Sequence, residues 1–354
     1  VKVALVTDTH WGCRNDSQIF AKYFSKFWKN IFFPYLDEHK IDHVIHLGDI
    51  VDRRKYINFL SANNLKNDFI YPLMERNINF WCLIGNHDIF YRNSLEINAL
   101  DQLYDNSSLI NLVKKPTELQ LGNCDILLMP WICSENWNQC WDAIKNSKSQ
   151  VMMGHLELNG FEMHRGAVCD TGFDPEEFQK FDLVLSGHFH HKSSYGNIHY
   201  LGCPYEITWS DYNDRKGFHI FDTETRELEF IQNPYSMFYR FEYDDVDMNI
   251  EKIVEEIDYA GYNETYMKVI VKNKTNPYMF DVFIDNLEKS GVHNIQIIED
   301  MLNIDIDNED DLIDEAKSTI EMLETYVDQI ETKSNKKRLK TLFHNLYNEA
   351  LTLE

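Results

Sequence analysis

The stretch LIGNHD, Leu83 to Asp88, decides how this chain is read. An apolar run ends abruptly in Gly, Asn, His and Asp. Such an ending is either a capped turn or a buried strand that delivers ligands to a site. The same plan recurs along the chain. VKVALVTDTH ends in Asp8 and His10, DHVIHLGD in Asp49, SQVMMGH in His155, and FDLVLSGHFH in His188 and His190. In open α/β sheets, sites form at the carboxyl ends of strands, so these residues are expected to converge although they are spread from Asp8 to His190. Positions i and i+2 of an extended segment point to one side. Asp8 with His10, and His188 with His190, therefore each aim two side chains at one place. Glycine precedes Asp49, Asn86, His155 and His188, which clears space where backbone passes close to the site. A lone D-x-H or G-H is usually a surface turn. Five strand-end motifs in one chain point instead to a metal site.

Helical patterns separate these strands. SQIFAKYFSKFWKNIFFPYLDEH reads as a helix that Pro34 bends or ends, and INFLSANNLKNDFIYPLMERN as a second. CDILLMPW and NIHYLGCP add strands, and GFHIFDTETRELEFI reads as a hairpin turning at Thr223 to Arg226. The alternation of short apolar strands with helices predicts an α/β core. After about Pro234 the pattern changes to a small α+β unit, and from Asp307 to a helical hairpin. Its apolar stripes include Leu339, Leu342, Phe343 and Leu346. The expected divisions are 1–232, 233–304 and 305–354. The hairpin's stripes either pack on the body of the protein or dock a partner.

The chain has 354 residues, 44% hydrophobic and 26% charged, a composition expected of a soluble globular protein. No apolar stretch is long enough to span a bilayer, and VKVALVTDTHWG lacks the plan of a signal peptide. The seven cysteines form no CxxC pair, which points to reduced thiols in a cytoplasmic-type compartment. The net charge of −24 argues against a broad nucleic-acid-binding face. An anionic substrate would need a metal, a small basic patch or a partner's surface.

The ligand candidates are Asp8, His10, Asp49, Asn86, His155, His188 and His190. They include no thiolate, which suits Mn, Fe or a non-structural Zn site. They are too many for one ion with open positions. Two ions sharing a carboxylate fit better, roughly 3.5–4 Å apart as in two-metal sites generally, with Asp49 as the natural bridge.

Asp8-x-His10, Gly48-Asp49, Gly85-Asn86-His87-Asp88, Gly154-His155 and Gly187-His188-Phe189-His190 together resemble the calcineurin-like metallophosphoesterase superfamily. Within it the chain resembles the SbcD-type DNA-repair nucleases, in particular the branch carried by T-even bacteriophages. MPWICSEN, GHLELNGFEMHRG, LSGHFHHKS, YLGCPYEITWSD and KGFHIFDTET extend the likeness. It covers residues 1 to about 232 closely and the remainder only in layout. The resemblance implies a core of two β-sheets flanked by helices, a small capping domain and a helical tail. It also implies a Mn2+-dependent DNA exo- or endonuclease, with Mg2+ as the alternative ion. One ion would take Asp8, His10 and His190, the other Asn86, His155 and His188, with Asp49 between them. His87 corresponds to the family's histidine near the leaving-group oxygen. Asp52 either accepts a hydrogen bond from His87 and fixes its tautomer or caps the following helix.

The family also implies partners. DNA phosphates are expected at Arg53, Arg54 and Lys55, which follow Asp49. A coiled-coil ABC-type ATPase is expected on the C-terminal helices. A homodimer contact is expected from Phe59, Leu60, Leu65, Phe69, Ile97, Leu100 and Leu103, which otherwise simply cover the sheet. Two other readings compete: a phosphatase or small-molecule phosphodiesterase of the same superfamily, and a non-catalytic DNA-end scaffold. GDIVDRR followed by GNHD is also similar to serine/threonine phosphatases, but those favour Glu where Asp88 stands and lack the final G-H-x-H. A non-catalytic DNA-end scaffold would be expected to have lost ligands, and none is missing.

Overall fold

The computed structural model describes residues 1–104, 110–164, 166–246 and 249–299, with single positions at 336, 339 and 340. Leu342, Phe343 and Leu346 lie outside the described residues, as does nearly all of the expected hairpin. Leu339 is an isolated, half-buried helical position.

Strands β1 (Lys2–Val6), β2 (His43–His46), β3 (Asn79–Leu83) and β4 (Asn111–Val113) lie side by side and parallel. The chain then builds a second sheet from β5 (Thr117–Leu121), β6 (Cys124–Met129) and β7 (Val151–His155). A small ribbon follows, β8 (Glu162–His164) with β9 (Ala167–Val168). The second sheet is completed by β10 (Leu183–Gly187), β11 (Ser193–Tyr195) and β12 (Ile198–Tyr200). Its order is β11-β12-β10-β7-β6-β5, with the four central strands parallel and each edge strand antiparallel. The chain returns to the first sheet with the antiparallel hairpin β13 (Gly217–Asp222) and β14 (Leu228–Gln232), giving the order β14-β13-β1-β2-β3-β4.

The strands are apolar on nearly every residue because both of their faces are covered. Ile126, Leu128, Val151, Met153 and Leu185 join Val3, Leu5, Ile45 and Leu83 between the two sheets. Leu127, Met129, Met152 and Val184 face the other way, with Cys140 and Ile144 of the helix Trp137–Asn146. Neighbouring residues on one strand thus serve two cores. The first sheet's outer face is covered by a helical run over 18–39, whose Phe27 and Phe32 rings meet Phe218 of β13. A second run over 59–75 places Phe69 against Phe80 and Trp28.

Pro34 does not end the first run. A wider π turn at Trp28–Phe32 immediately precedes it, and the helix continues through Phe33–His39. The second run repeats the device, with a π turn at Lys66–Ile70 ahead of Pro72. Proline has no N–H and its ring crowds the preceding turn. Opening that turn lets the helix proceed.

From β15 (Phe238–Asp244) the chain forms a parallel three-stranded sheet with β16 (Tyr266–Asn273) and β17 (Asn294–Glu299). The helices Ile250–Glu256 and Pro277–Lys289 connect them. Tyr243, Val269, Phe283 and Leu287 form its core. This α+β layout belongs to the same compact unit as residues 1–207.

Candidate metal centre

The topology explains why residues so far apart in sequence meet. β1, β2 and β3 are parallel neighbours, so the segments after them carry Asp8 and His10, Asp49, and Asn86 and His87 to one edge. β7 and β10 are parallel neighbours in the other sheet and bring His155, His188 and His190 to the same edge. Two groups form. In one, ligand atoms of Asp8, His10 and His190 all lie within 4.8 Å of one another; in the other, those of Asp49, His155 and His188 do. His10 Nε2 is 3.0 Å from His190 Nε2. His155 Nε2 is 2.9 Å from Asn86 Oδ1 and 3.2 Å from Asp49 Oδ2. Asp8, His10, Asp49, Asn86 and His155 are buried, and His188 and His190 half-buried.

Asp8, His10, Asp49 and His188 all have positive φ, at 52°, 44°, 55° and 91°. Left-handed backbone is unfavourable for side chains of this kind and persists only where the surroundings impose it. Several bonds impose it here. The Asp88 carboxylate accepts the backbone N–H groups of Gly85 (2.8 Å), Asp49 (2.9 Å), Ile50 (2.9 Å) and Val51 (3.1 Å). It thereby ties the loop after β3 to the loop after β2. Asp49 Oδ1 accepts from the His87 backbone N–H at 2.8 Å. Asp8 Oδ2 accepts from the His188 N–H at 3.0 Å and the Thr7 hydroxyl at 2.6 Å. Gly85 has no room for a side chain, because a Cβ there would collide with the Asp49 carboxylate.

The donor set suits cations. His155 Nδ1 donates to the Leu47 carbonyl at 2.7 Å, which leaves Nε2 facing the oxygens of Asn86 and Asp49. Burial works against a charge on His155, yet Asp49 beside it lifts its pKa to about 9. A proton thus serves in the place where three electron-pair donors converge, and a bound cation would do the same work. Burial, reinforced by neighbouring histidines, holds His10 well below the usual imidazole range; burial takes His190 down to about 4 and lowers His188. Neutral imidazole is the form that ligates metals. Burial, with the charge of Asp49 adding to it, raises Asp8 to about 7. An adjacent dication reverses that cost.

Other expected site residues fall in mixed places. His87 Nδ1 donates to the backbone carbonyl of Asp52 at 2.5 Å, and its ring meets the His10 ring edge-on at 4.8 Å. The Asp52 carboxylate lies 3.6 Å from His10 Nδ1 and 3.8 Å from Arg53 Nε. The next helix, starting at Phe59, is capped by Asn58, so Asp52 does not have the capping role considered for it. Arg53 pairs with Asp16 and donates to the Gly12 carbonyl and the Tyr56 hydroxyl. Arg54 is half-buried and Lys55 exposed. Leu65, Phe69 and Leu100 are buried in the chain's own core, while Phe59 is 95% exposed, Leu60 47% and Ile97 41%. Helical periodicity divides them: Leu65 and Phe69, one turn apart, face the sheet. Leu103 is half-buried. The sequence reading missed the holding role of Asp88, whose partners are all backbone atoms. The only available signal was an acid closing the G-N-H-D run.

The sequence profile of the calcineurin-like phosphoesterases matches residues 1–192. Exonuclease subunit 1 of Enterobacteria phage T4 is 32% identical over 312 residues, an alignment spanning 86% of this chain and 87% of that protein. The D component of the nuclease SbcCD from Staphylococcus epidermidis is 24% identical over 260 residues, 64% of this chain and 67% of that protein. Its counterpart from Staphylococcus saprophyticus is 22% identical over 267 residues, 66% and 69% of the two chains.

Proposed function

The chain belongs to the calcineurin-like phosphoesterase family, and from that premise we propose that it is the DNA nuclease subunit of a recombination and repair complex. The observation that carries the reading is the meeting of two ligand groups, Asp8–His10–His190 and Asp49–His155–His188, at one edge of two sheets. Its relatives supply the substrate class: they are named as an exonuclease subunit and as subunits of a nuclease.

In this reading Asp8, His10 and His190 hold one divalent cation and Asn86, His155 and His188 the other, with Asp49 shared. Mn2+ is the expected ion and Mg2+ the alternative. Dications held by these residues would polarise a phosphodiester and lower the pKa of a bound water. The chain's own residues do the rest. The Leu47 carbonyl fixes the His155 tautomer, and the Asp52 carbonyl fixes that of His87. With Nδ1–H kept on that carbonyl, His87 presents Nε2 to the departing oxygen and gives it a proton from the imidazolium form. The buried walls of the site keep bulk water from screening these charges.

The remaining assignments follow the same premise. Residues 1–232 form the nuclease domain, 233–304 a capping domain that contacts DNA, and 305–354 the docking tail for a coiled-coil ABC-type ATPase. Phe59, Leu60 and Ile97 are the residues of the expected dimer face that project outward. Arg54 and Lys55 suit phosphate contact better than Arg53, which Asp16 engages. The setting is cytoplasmic.

The test is degradation of end-labelled duplex and single-stranded DNA by the purified chain with Mn2+ or Mg2+, beside Asp49→Asn and a small phosphomonoester. Mn2+-dependent DNA cleavage that falls by at least about a hundredfold in the variant supports the reading. Turnover of the phosphomonoester alone would replace it with a phosphatase.

A further inference from the structure

A third cluster of ligand-type side chains stands directly behind the site. Donor atoms of His190, Cys203 and Asp211 also lie within 4.8 Å of one another. His190 therefore belongs to two donor sets at once, one with Asp8 and His10 and one with Cys203 and Asp211. Asp211 of the second set already meets a cation. The Lys216 side chain is 3% exposed, and its ammonium lies 2.7 Å from Asp211 Oδ1, 2.8 Å from Asp214 Oδ2 and 2.7 Å from the His190 backbone oxygen. Its three N–H donors thus meet three acceptors. Asp211 Oδ2 is engaged by the Ile207 N–H at 2.8 Å, and Asp214 also meets His191 Nδ1 at 3.1 Å. Cys203 donates its backbone N–H to the same His190 oxygen at 3.2 Å.

The placement crosses the fold. Lys216 directly precedes β13 in the first sheet, beside β1 with its Asp8 and His10. His190 follows β10 of the second sheet. The 3.0 Å approach of His10 to His190 is an approach between sheets, and the Lys216 bond to His190 O is a polar tie between the same two. A buried ammonium without its carboxylates would be costly, and so would the two carboxylates without it. The three are held as a unit.

We propose that Lys216 is a positioning residue that commits His190 to the Asp8–His10 group by filling, with its own ammonium, the place a metal would take among His190, Cys203 and Asp211. The inference rests on the metal reading given above. Removing the ammonium does two things. It loosens the His190 loop from the first sheet, and it leaves Asp211, Asp214 and Cys203 as an acidic, thiol-containing set without its ammonium, beside a shared histidine.

The experiment titrates the full chain, without DNA, with Mn2+ by calorimetry and with Co2+ by absorption. It compares wild type, Lys216→Met, Asp214→Asn and Lys216→Met combined with Cys203→Ser. Folding of each is checked by circular dichroism. Wild type is expected to bind two ions with no thiolate-to-cobalt band in the near ultraviolet. Lys216→Met is expected to bind one of them about 10- to 100-fold more weakly, the usual effect of losing a group that orients a ligand. It should also show a thiolate band that Cys203→Ser removes. A merely structural lysine would not create that band. If Lys216→Met does not fold, Asp214→Asn removes one of the two carboxylate charges that hold the ammonium and leaves His190, Cys203 and Asp211 intact. A weakened ion there supports the proposal, and unchanged binding overturns it. Wild type binding two ions, with Lys216→Met folded, binding both equally and showing no band, would overturn it as well. A wild-type chain that binds neither metal would sink the metal reading itself.

Discussion

The carboxylate of Asp88 is fully buried and accepts four backbone N–H groups, two on each oxygen. It is absent from both candidate ligand groups, but it holds the backbone of Asp49 in place. Burial, with the charge of Asp49 adding to it, raises its pKa to about 6, so it carries its charge at neutral pH at some cost and uses it on those four bonds. Asp88→Asn keeps the shape and replaces one oxygen by an NH2 group that must face two backbone N–H donors. Donor against donor in a buried place leaves groups unsatisfied, at about 1–3 kcal/mol each. We expect Asp88→Asn to lose on the order of 2–4 kcal/mol in urea denaturation and to bind Mn2+ more weakly by calorimetry. A variant with wild-type stability and affinity would show that the four bonds do not hold the site. Legibility at this scale divides by partner type. Asp8, His10, Asp49, Asn86, His155, His188 and His190 could be picked out because side chains that meet one another leave residue types at strand ends. Asp88 bonds to backbone atoms, and a backbone partner leaves no mark in the sequence; the acids on Lys216, Asp211 and Asp214, are its near neighbours in the chain and read there as an ordinary charged loop.

At the scale of elements, Glu206 links the three-stranded sheet to the core. It is buried, and its Oε2 accepts the N–H groups of Met237 (2.6 Å) and Phe238 (2.9 Å), where β15 begins. Burial raises its pKa to about 7, against the pull of those two N–H groups. The sign follows from linkage. A carboxyl whose folded pKa lies above its unfolded value adds stability that is fully present below the unfolded value and is lost as pH rises through about 7. Glu206→Gln keeps an acceptor oxygen and cannot ionise. In chelator, the stability of Glu206→Gln relative to wild type should therefore rise by about 2 kcal/mol between about pH 5 and about pH 8, read by urea denaturation of both proteins. Other titrating groups are common to the two chains and cancel. A difference independent of pH would show that Glu206 titrates alike in the folded and unfolded chains. The elements themselves were largely readable. The strands ending in candidate ligands, the β13–β14 hairpin and the change of pattern near Pro234 follow from apolar runs and turn residues. Two features were not. Pro34 reads as a bend or stop, because a local rule does not reveal that the preceding turn can widen. Periodicity gives α/β alternation, but it does not divide the strands between two sheets. Ile126 and Leu127 are both simply apolar, and only the fold sends one into each core. The two-sheet expectation came from family resemblance.

Taken as a whole, the chain carries a net charge of −24, and a phosphoesterase of this charge must still admit an anionic substrate. Arg53 does little to relieve that, since Asp16 engages its guanidinium. Nor does Lys216, whose charge is spent on Asp211 and Asp214. The candidate ligand groups are acidic themselves, each with a buried aspartate, Asp8 in one and Asp49 in the other. Two dications would add four positive charges where phosphate must approach. On the proposed function, the metals are then part of substrate binding as well as of the reaction. Fluorescence anisotropy of a labelled duplex with the purified chain at low salt should show affinity at least about tenfold weaker in chelator than with Ca2+. Ca2+ is a hard oxygen-seeking dication, chosen here to supply charge while limiting cleavage. Asp49→Asn should resemble the chelated chain. Salt should weaken what remains, as for any phosphate contact. Affinity unchanged by chelator would place the DNA on a basic surface away from the metals, with Arg54 and Lys55 the first positions to replace. Affinity absent in both states would put the positive surface on another subunit, and the same titration repeated with an ABC-type ATPase partner would then carry the metal dependence.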